Sequence, residues 1–151
     1  MSDTILLDVS DGLARLTLNR PASLNAVNAE MGTRWRELAL RVTSDPTVEA
    51  VLLDAAGSAF CAGGDVIEMA GSPEGGAGLA RMAGVINDGI AAFAAGGVPI
   101  VAAVQGAVAG GGLGLMLVAD YIVASESATF ASKYADVGLT PDLGLTTFLP
   151  R

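Results

Sequence analysis

An uncharged run from residue 98 to residue 119 constrains the fold more than any other feature of the sequence. Its first half is rich in β-branched residues, its middle carries Gly110, Gly111 and Gly112, and its second half is rich in leucine. This order predicts a buried strand at residues 100–104, a glycine turn, and a buried helix at about residues 112–118. Because that helix is apolar nearly all round, we expect a homo-oligomer or a partner segment to cover it.

The same run has the glycine spacing of a membrane-spanning helix. Gly106 and Gly110, and again Gly110 and Gly114, match the packing motif of transmembrane helices. However, Pro99 opens the run and no basic residue closely flanks either end. We therefore interpret the run as a strand, turn and helix, and we predict no membrane association.

Composition narrows the classes of function. The chain has 151 residues, 52% of them hydrophobic and 16% charged, which suits one globular domain with a sizeable core. A net charge of −8 provides no basic stripe for phosphates, so nucleic acid is not an expected partner. Histidine is absent and Cys61 is the single cysteine, which argues against histidine triads, zinc sites and disulfides within this sequence. We expect a cytoplasmic protein.

Apolar patterns predict short strands that alternate with helices. The predicted strands lie at residues 5–9, 13–19, 50–55, 121–124 and 128–130, in addition to 100–104. Helical spacing predicts one helix over about residues 28–42 and another after residue 78, with a glycine-rich, mobile stretch at 71–78 before it. Their buried faces should carry Met31, Trp35, Leu38 and Val42, and Leu79, Met82, Ile86, Ile90 and Phe93. This alternation indicates a single α/β domain with parallel strand pairing.

Two segments share one design, in which an apolar strand ends in a loop of small residues. The first loop covers residues 60–65, and the second covers residues 106–112 and opens a helix. Glycine allows close backbone approach, and a helix N-terminus leaves N–H groups without partners. If the loops face each other, one N–H group from each can bind the same oxygen, as in an oxyanion hole. Tight turns with close packing explain the same residues, and the sequence leaves both interpretations open.

Several motifs stand in the order and spacing of the crotonase (enoyl-CoA hydratase/isomerase) superfamily. They are NRPASLNA at residues 19–26, AFCAGGD at 59–65, GAVAGGG at 106–112, AD at 119–120 and GLTPDLG at 138–144. The resemblance covers nearly the whole chain and implies an α/β fold of the crotonase (ClpP-like) type, a spiral of ββα units. Members of the superfamily run considerably further. The resemblance therefore implies that residues 1–151 are one domain, the N-terminal acyl-CoA-binding and catalytic core, without the C-terminal helical part.

The resemblance also implies a substrate site. The matching positions are Leu24, Ala62, Gly64, Asp65, Val66, Ile67 and Gly111. Gly64 and Gly111 match the two oxyanion-hole donors, and the backbone around Leu24 and Ala62 matches the pocket for the CoA adenine. Residues 65–67 match the strip along which the pantetheine chain lies. The partner implied is an acyl-CoA thioester, with no metal and no further cofactor, because CoA belongs to the substrate.

The sequence departs from the pattern of the hydratases. Hydratases that it resembles use two glutamates, and the matching positions here are Gly114 and Tyr134. Asp142 instead matches the single acid/base of the isomerases, which include enoyl-CoA isomerases of fatty acid metabolism and ring-epoxide isomerases of phenylacetate degradation. An alternative role for Asp142 is to cap a helix that follows Pro141.

The resemblance therefore implies an isomerase that moves a double bond by a 1,3-proton shift through a thioester enolate. In this prediction Gly64 and Gly111 hold the enolate oxygen and Asp142 moves the proton. Two alternatives are a hydratase with another carboxylate and a non-catalytic acyl-CoA-binding or assembly subunit. By resemblance, the expected assembly is a homotrimer or a dimer of trimers.

Overall fold

In a computed structural model, which describes residues 3–150, strands alternate with helices. The strands are β1 (Ile5–Ser10), β2 (Leu13–Leu18), β3 (Ala50–Ala55), β4 (Ile100–Val104), β5 (Ala107–Ala109), β6 (Tyr121–Ala124) and β7 (Thr129–Ala131). The helices are α1 (Ala29–Ser44), α2 (Val66–Ala70), α3 (Gly75–Gly96), α4 (Gly111–Leu117) and α5 (Leu145–Phe148). Short 3-10 turns lie at Pro21–Ser23 and Ala135–Val137. The predicted strands are confirmed to within a residue at each end, whereas β5 was predicted to be part of the glycine turn.

The main sheet has the strand order β1-β2-β3-β4-β6, and β5 and β7 form a second, two-stranded sheet. A tight turn with positive φ at both Asp11 and Gly12 joins β1 and β2 as an antiparallel hairpin. All other strand pairs are parallel, which confirms the predicted pairing. Because β3 and β4 are parallel neighbours, the loops that follow them leave the sheet at the same edge.

Helices α1 and α3 pack against each other through their predicted apolar faces. Trp35 of α1 and Phe93 of α3 are buried, with ring centroids 5.1 Å apart and the rings tilted by 58°. This spacing is typical of favourable aromatic pairs. The α1 face is confirmed in full. On α3, Ile86, Ile90 and Phe93 are buried, while Leu79 and Met82 are half-buried.

The prediction of a mobile glycine-rich stretch at residues 71–78 is wrong for its second half, because α3 already begins at Gly75. The small residue Gly78 allows the preceding turn to fold back on the helix, with Ser72 Oγ 2.9 Å from where a Cβ would stand. An exposed ion pair between Glu74 and Arg81 joins this turn to the helix. Packing of α3 against α1 further along the helix also stabilises it, despite the poor helix propensity of the glycines.

Helix α4 is buried by the chain itself. Leu113, Leu115 and Met116 are each at most 5% exposed within a single chain, so the predicted burial is confirmed. The apolar character of α4 therefore does not by itself require a second copy, and the oligomer stays a prediction. Among residues 3–150, no helix combines the length and the apolar character needed to cross a membrane.

Candidate active site

The two glycine loops, residues 60–65 and 106–112, pack directly against each other. The N–H of Cys61 donates to the carbonyl of Ala107 at 3.1 Å, and the N–H of Ala109 donates to the carbonyl of Cys61 at 3.0 Å. These two bonds form a short parallel bridge between the loops. The expectation that the loops face each other is confirmed.

This approach leaves no room for a side chain at Gly112 or at Gly63. A Cβ on Gly112 would stand 2.3 Å from the carbonyl oxygen of Cys61, closer than any real Cβ contact. Gly63 has φ +107°, and a Cβ there would also lie 2.9 Å from the carbonyl oxygen of Ala109. The small residues in the two loops are therefore required by close backbone packing. The interpretation as tight turns with close packing is confirmed, and the oxyanion hole stays a prediction.

Two backbone N–H groups are free where the loops meet. Gly111 is the first residue of α4, so its N–H has no acceptor within the helix. Gly64 lies opposite Val27 in a parallel bridge. The hydrogen bonds of this bridge use the carbonyl of Gly63 and the N–H of Asp65, and not the N–H of Gly64. Within residues 3–150, neither N–H donates to another group. The two donors predicted for an oxyanion hole are thus unpaired, and their convergence on one oxygen stays a prediction.

A cavity of about 340 Å³ connects these glycines with the predicted acid. Its volume lies in the range of small-molecule sites. Its walls are mainly apolar, with α3 supplying six of the lining residues. The lining residues are Val27, Gly64, Met69, Gly76, Leu79, Ala80, Met82, Ala83, Ile86, Gly111, Tyr134, Leu139, Thr140, Asp142 and Leu143. Among the described residues that line it, Asp142 is the only carboxylate.

Asp142 is held by a tyrosine and does not cap a helix. Helix α5 begins only at Leu145, its N-cap is Gly144, and it has no side-chain cap. The alternative role of Asp142 as a helix cap is therefore wrong. Its Oδ1 accepts a hydrogen bond of 2.7 Å from the hydroxyl of Tyr134, which is 5% exposed. Burial raises the pKa of Tyr134, and the hydrogen bond to Asp142 and its charge raise it further, so the phenol remains protonated.

The structure explains why a glutamate is absent at position 114. A Cβ on Gly114 would lie 2.6 Å from both the Cβ and the carbonyl oxygen of Leu143. Leu143 is buried, with a φ of +49° that directs the chain over α4. The space for a side chain at position 114 is therefore filled by the residue next to Asp142.

The residues predicted to contact CoA lie along the first glycine loop. The N–H of Ala62 donates to the carbonyl of Leu24 at 3.0 Å, which brings these two predicted neighbours of the adenine together. Leu24, Val66 and Ile67 are exposed, the last of them at 84%. Asp65 has a different role, because its side chain accepts from the N–H of Glu68 and caps α2. This strip leads directly away from Gly64 and the cavity.

Arg20 and Asn25 also support the first loop, although the motif NRPASLNA does not reveal how. The guanidinium of Arg20 pairs with Asp65 at 3.0 Å and donates to the carbonyl of Ala26. Burial alone would raise the pKa of Asp65, but the N–H of Glu68 and the Arg20 guanidinium outweigh it and lower the pKa. Asn25 is fully buried, and its amide donates to two carbonyls that precede the loop, both at 2.9 Å.

Glu68 and Cys61 have structural positions. Glu68 is exposed, and its Oε1 accepts the free N–H of Ala29 at the start of α1 at 2.8 Å. Cys61 is fully buried between the loops, and burial raises the pKa of its thiol to about 11. Such a thiol is a poor nucleophile.

Sequence and structure comparisons place this arrangement in a known family. The family model described as enoyl-CoA hydratase/isomerase matches residues 13–151. The chain belongs to the enoyl-CoA hydratase/isomerase family. Its fold is accordingly the crotonase α/β fold, which confirms the fold class that the motifs imply.

Individual members of the enoyl-CoA hydratase/isomerase family carry different names. A 1,2-epoxyphenylacetyl-CoA isomerase of Escherichia coli is 38% identical over 153 residues, covering 100% of this chain and 58% of its own length. A protein of Mycobacterium tuberculosis named as a probable enoyl-CoA hydratase is also 38% identical, over 99% of this chain and 57% of its own. A crystal structure of an enoyl-CoA hydratase/isomerase from Mycobacterium paratuberculosis has a TM-score of 0.89 and 33% identity, covering 99% of this chain and 60% of that one. The chain thus spans about 57% of the length of these curated relatives, and their names do not decide between hydratase and isomerase.

Proposed function

We propose that the protein is an acyl-CoA isomerase that moves a carbon–carbon double bond by a 1,3-proton shift. One observation carries the proposal: the free N–H groups of Gly64 and Gly111 line the same apolar cavity as Asp142. Two donors for a negative oxygen and one carboxylate are the groups that an enolate mechanism requires.

The proposed steps conserve atoms and electrons. The thioester oxygen of the substrate accepts hydrogen bonds from Gly64 and Gly111. Asp142 removes a proton from the carbon next to the thioester, and the electrons of that C–H bond move into an enolate held by the two donors. Asp142 then returns the proton two carbons further along the chain, which shifts the double bond. An oxyanion-hole donor contributes about 2.7–4 kcal/mol to such a reaction in other enzymes.

The reaction needs no external electron acceptor, because every electron stays in the substrate. CoA enters only as part of the thioester, beside Leu24, Ala62 and the exposed residues Val66 and Ile67. The E. coli relative is named for a phenylacetyl derivative, so ring-bearing thioesters belong in the first substrate panel beside linear 3-enoyl-CoA. A homo-oligomer and a cytoplasmic location remain part of the proposal.

A hydratase is the second candidate function, supported by the name of the Mycobacterium tuberculosis relative. Water addition needs one group to activate water and one to protonate carbon. At position 114 the space for a carboxylate is filled by Leu143, and position 134 carries a phenol that stays protonated. Hydration of crotonyl-CoA without isomerisation of 3-enoyl-CoA would contradict the proposed isomerase and support a hydratase. Binding of acyl-CoA with neither reaction would favour the non-catalytic subunit.

The decisive variant is Asp142→Asn. The amide retains an oxygen that can accept from Tyr134, so fold and acyl-CoA binding should be preserved. We expect the conversion of 3-enoyl-CoA to 2-enoyl-CoA to fall by roughly 10²–10⁴-fold, as for other lost acid–base groups. The measurement follows the ultraviolet absorbance of the conjugated thioester.

Glu68→Gln is the matched control, because it also exchanges a carboxylate for an amide and can still accept the N–H of Ala29. It should retain nearly full activity. Near-normal isomerisation by Asp142→Asn would remove Asp142 as the acid and leave the cavity without an identified catalyst.

A further inference from the structure

The carboxylate of Asp142, which we propose moves the proton, accepts a hydrogen bond from Tyr134. Its hydroxyl donates to Oδ1 of Asp142 at 2.7 Å, and both residues line the cavity with Gly64 and Gly111. Within the described residues, no other group donates to that carboxylate. Oδ1 of Asp142 therefore accepts from a phenol, and Oδ2 has no donor among residues 3–150.

The contact joins two fixed points of the backbone. The carbonyl of Tyr134 accepts from the N–H groups of Val137 at 3.1 Å and Leu139 at 2.9 Å. The carbonyl of Asp142 accepts from the N–H of Leu145 at 3.0 Å. These bonds restrain the backbone near both residues, and the hydrogen bond from the phenol restricts the side-chain torsions of Asp142.

Tyr134 keeps its proton beside the carboxylate. Its ring is buried, and burial together with the neighbouring Asp142 raises its pKa, so it donates throughout the working pH range. Leu143 fills the space next to Gly114 on the other side. The carboxylate therefore works beside a hydrogen-bond donor that keeps its proton and beside an aliphatic side chain.

We propose that Tyr134 is a positioning residue that fixes Oδ1 of Asp142 and leaves Oδ2 as the oxygen that takes and returns the proton. This inference rests on the proposed function of Asp142. During the shift the proton travels from the first carbon to Oδ2 and then to the second carbon. The phenolic proton stays on Tyr134 throughout, and no further reactant is consumed.

The test is Tyr134→Phe, which removes one oxygen and keeps the ring that packs in the site. Because a side chain displaced by about an ångström can cost about a hundredfold in rate, we expect kcat for isomerisation to fall by about 10- to 100-fold. KM should stay within about twofold, since the apolar cavity wall is unchanged. A purely structural tyrosine would leave kcat unchanged once the variant is folded.

Tyr121→Phe is the matched control, because Tyr121 is 68% exposed on β6 and is the other tyrosine of the chain. It should behave as wild type. A second readout is the exchange of the hydrogens next to the thioester of a saturated acyl-CoA with D2O. This exchange reports proton removal by Asp142 without requiring a double bond to move.

The outcomes separate the two proposals. Parallel losses of isomerisation and exchange in Tyr134→Phe support the positioning role. Wild-type kcat in Tyr134→Phe, with loss of activity in Asp142→Asn, overturns the positioning role and leaves the isomerase intact. Exchange without isomerisation by the wild type overturns the isomerase, and Tyr134→Phe still tests positioning through the exchange rate. Absence of both reactions in the wild type overturns both.

Discussion

The two glycine loops and the segment from Tyr134 to Leu145 contribute to one cavity in different ways. The loops supply backbone N–H groups, and their residues are small because another backbone lies against them. The later segment supplies side chains, among them Tyr134 and Asp142, which share a hydrogen bond and line the cavity. In the proposed mechanism, binding of a thioester oxygen depends on backbone geometry, whereas proton transfer depends on side chains of the later segment. This division fits a family whose members share a fold and carry both hydratase and isomerase names.

The largest effect on stability is expected at the contact between the loops. Gly112→Ala places a Cβ 2.3 Å from the carbonyl oxygen of Cys61, and backbone must move to accept it. We expect the free energy of unfolding to fall by about 3 kcal/mol or more, measured by urea denaturation.

Gly84→Ala is the control for this substitution. Gly84 lies inside α3, where an added Cβ would meet nothing within 4 Å. Replacing a glycine in a helix interior should stabilise the protein by roughly 0.5–1 kcal/mol. Equal stabilities of the two variants would contradict the view that the loops are locked by close backbone packing.

A smaller effect is expected where the two regions meet. In Gly114→Ala, the added Cβ would lie 2.6 Å from Leu143, which directly follows a run of exposed residues, 135–142. We expect a loss of about 1–3 kcal/mol of stability, less than for Gly112→Ala, because this segment can shift. The shift also moves Asp142, so kcat for isomerisation should fall while acyl-CoA binding is retained. Loss of acyl-CoA binding with unchanged kcat would show instead that position 114 affects the part of the cavity lined by Gly64 and Gly111.

The smallest effect is expected in the pH dependence of stability. Cys61 of the first loop and Tyr134 of the later segment should affect it over different pH ranges. The pKa of Cys61 is about 11 in the folded protein, above about 8.5 for an unfolded cysteine, so its contribution to stability is complete below about pH 8.5. It is lost as the pH rises towards 11, since the unfolded chain then releases a proton that the folded chain keeps. We expect a loss on the order of 1 kcal/mol by pH 10, measured by urea denaturation across this range.

Two variants assign this pH dependence. Cys61→Ala should flatten the stability profile between about pH 8.5 and 10. Tyr134 also has a raised pKa, but an unfolded tyrosine ionises near pH 10, so Tyr134→Phe should change the profile only above about pH 10. A wild-type stability that is constant from pH 8.5 to 10 would contradict the burial of the thiol.

Local sequence patterns were enough to predict most of the strands and helices, the two glycine loops and the candidate acid. Strand and helix periods are local, and burial of one face leaves its mark on residues a few positions apart, as in Met31, Trp35 and Leu38. Glycine at positions 110–112 likewise indicates close approach, whatever the partner. Asp142 could be selected because its motif has the spacing of the isomerases.

The contacts that hold these residues in place could be seen only in the tertiary structure. The contacts of Tyr134 with Asp142, of Leu143 with Gly114, and of Arg20 with Asp65 join positions 8, 29 and 45 residues apart. The tertiary structure also made a strand of β5, because β7 supplied the hydrogen bonds of a parallel pair that outweigh local propensity. Local patterns report which side of an element is buried but not which residue lies against it. The pairing that positions Asp142 therefore becomes visible only when the chain is folded.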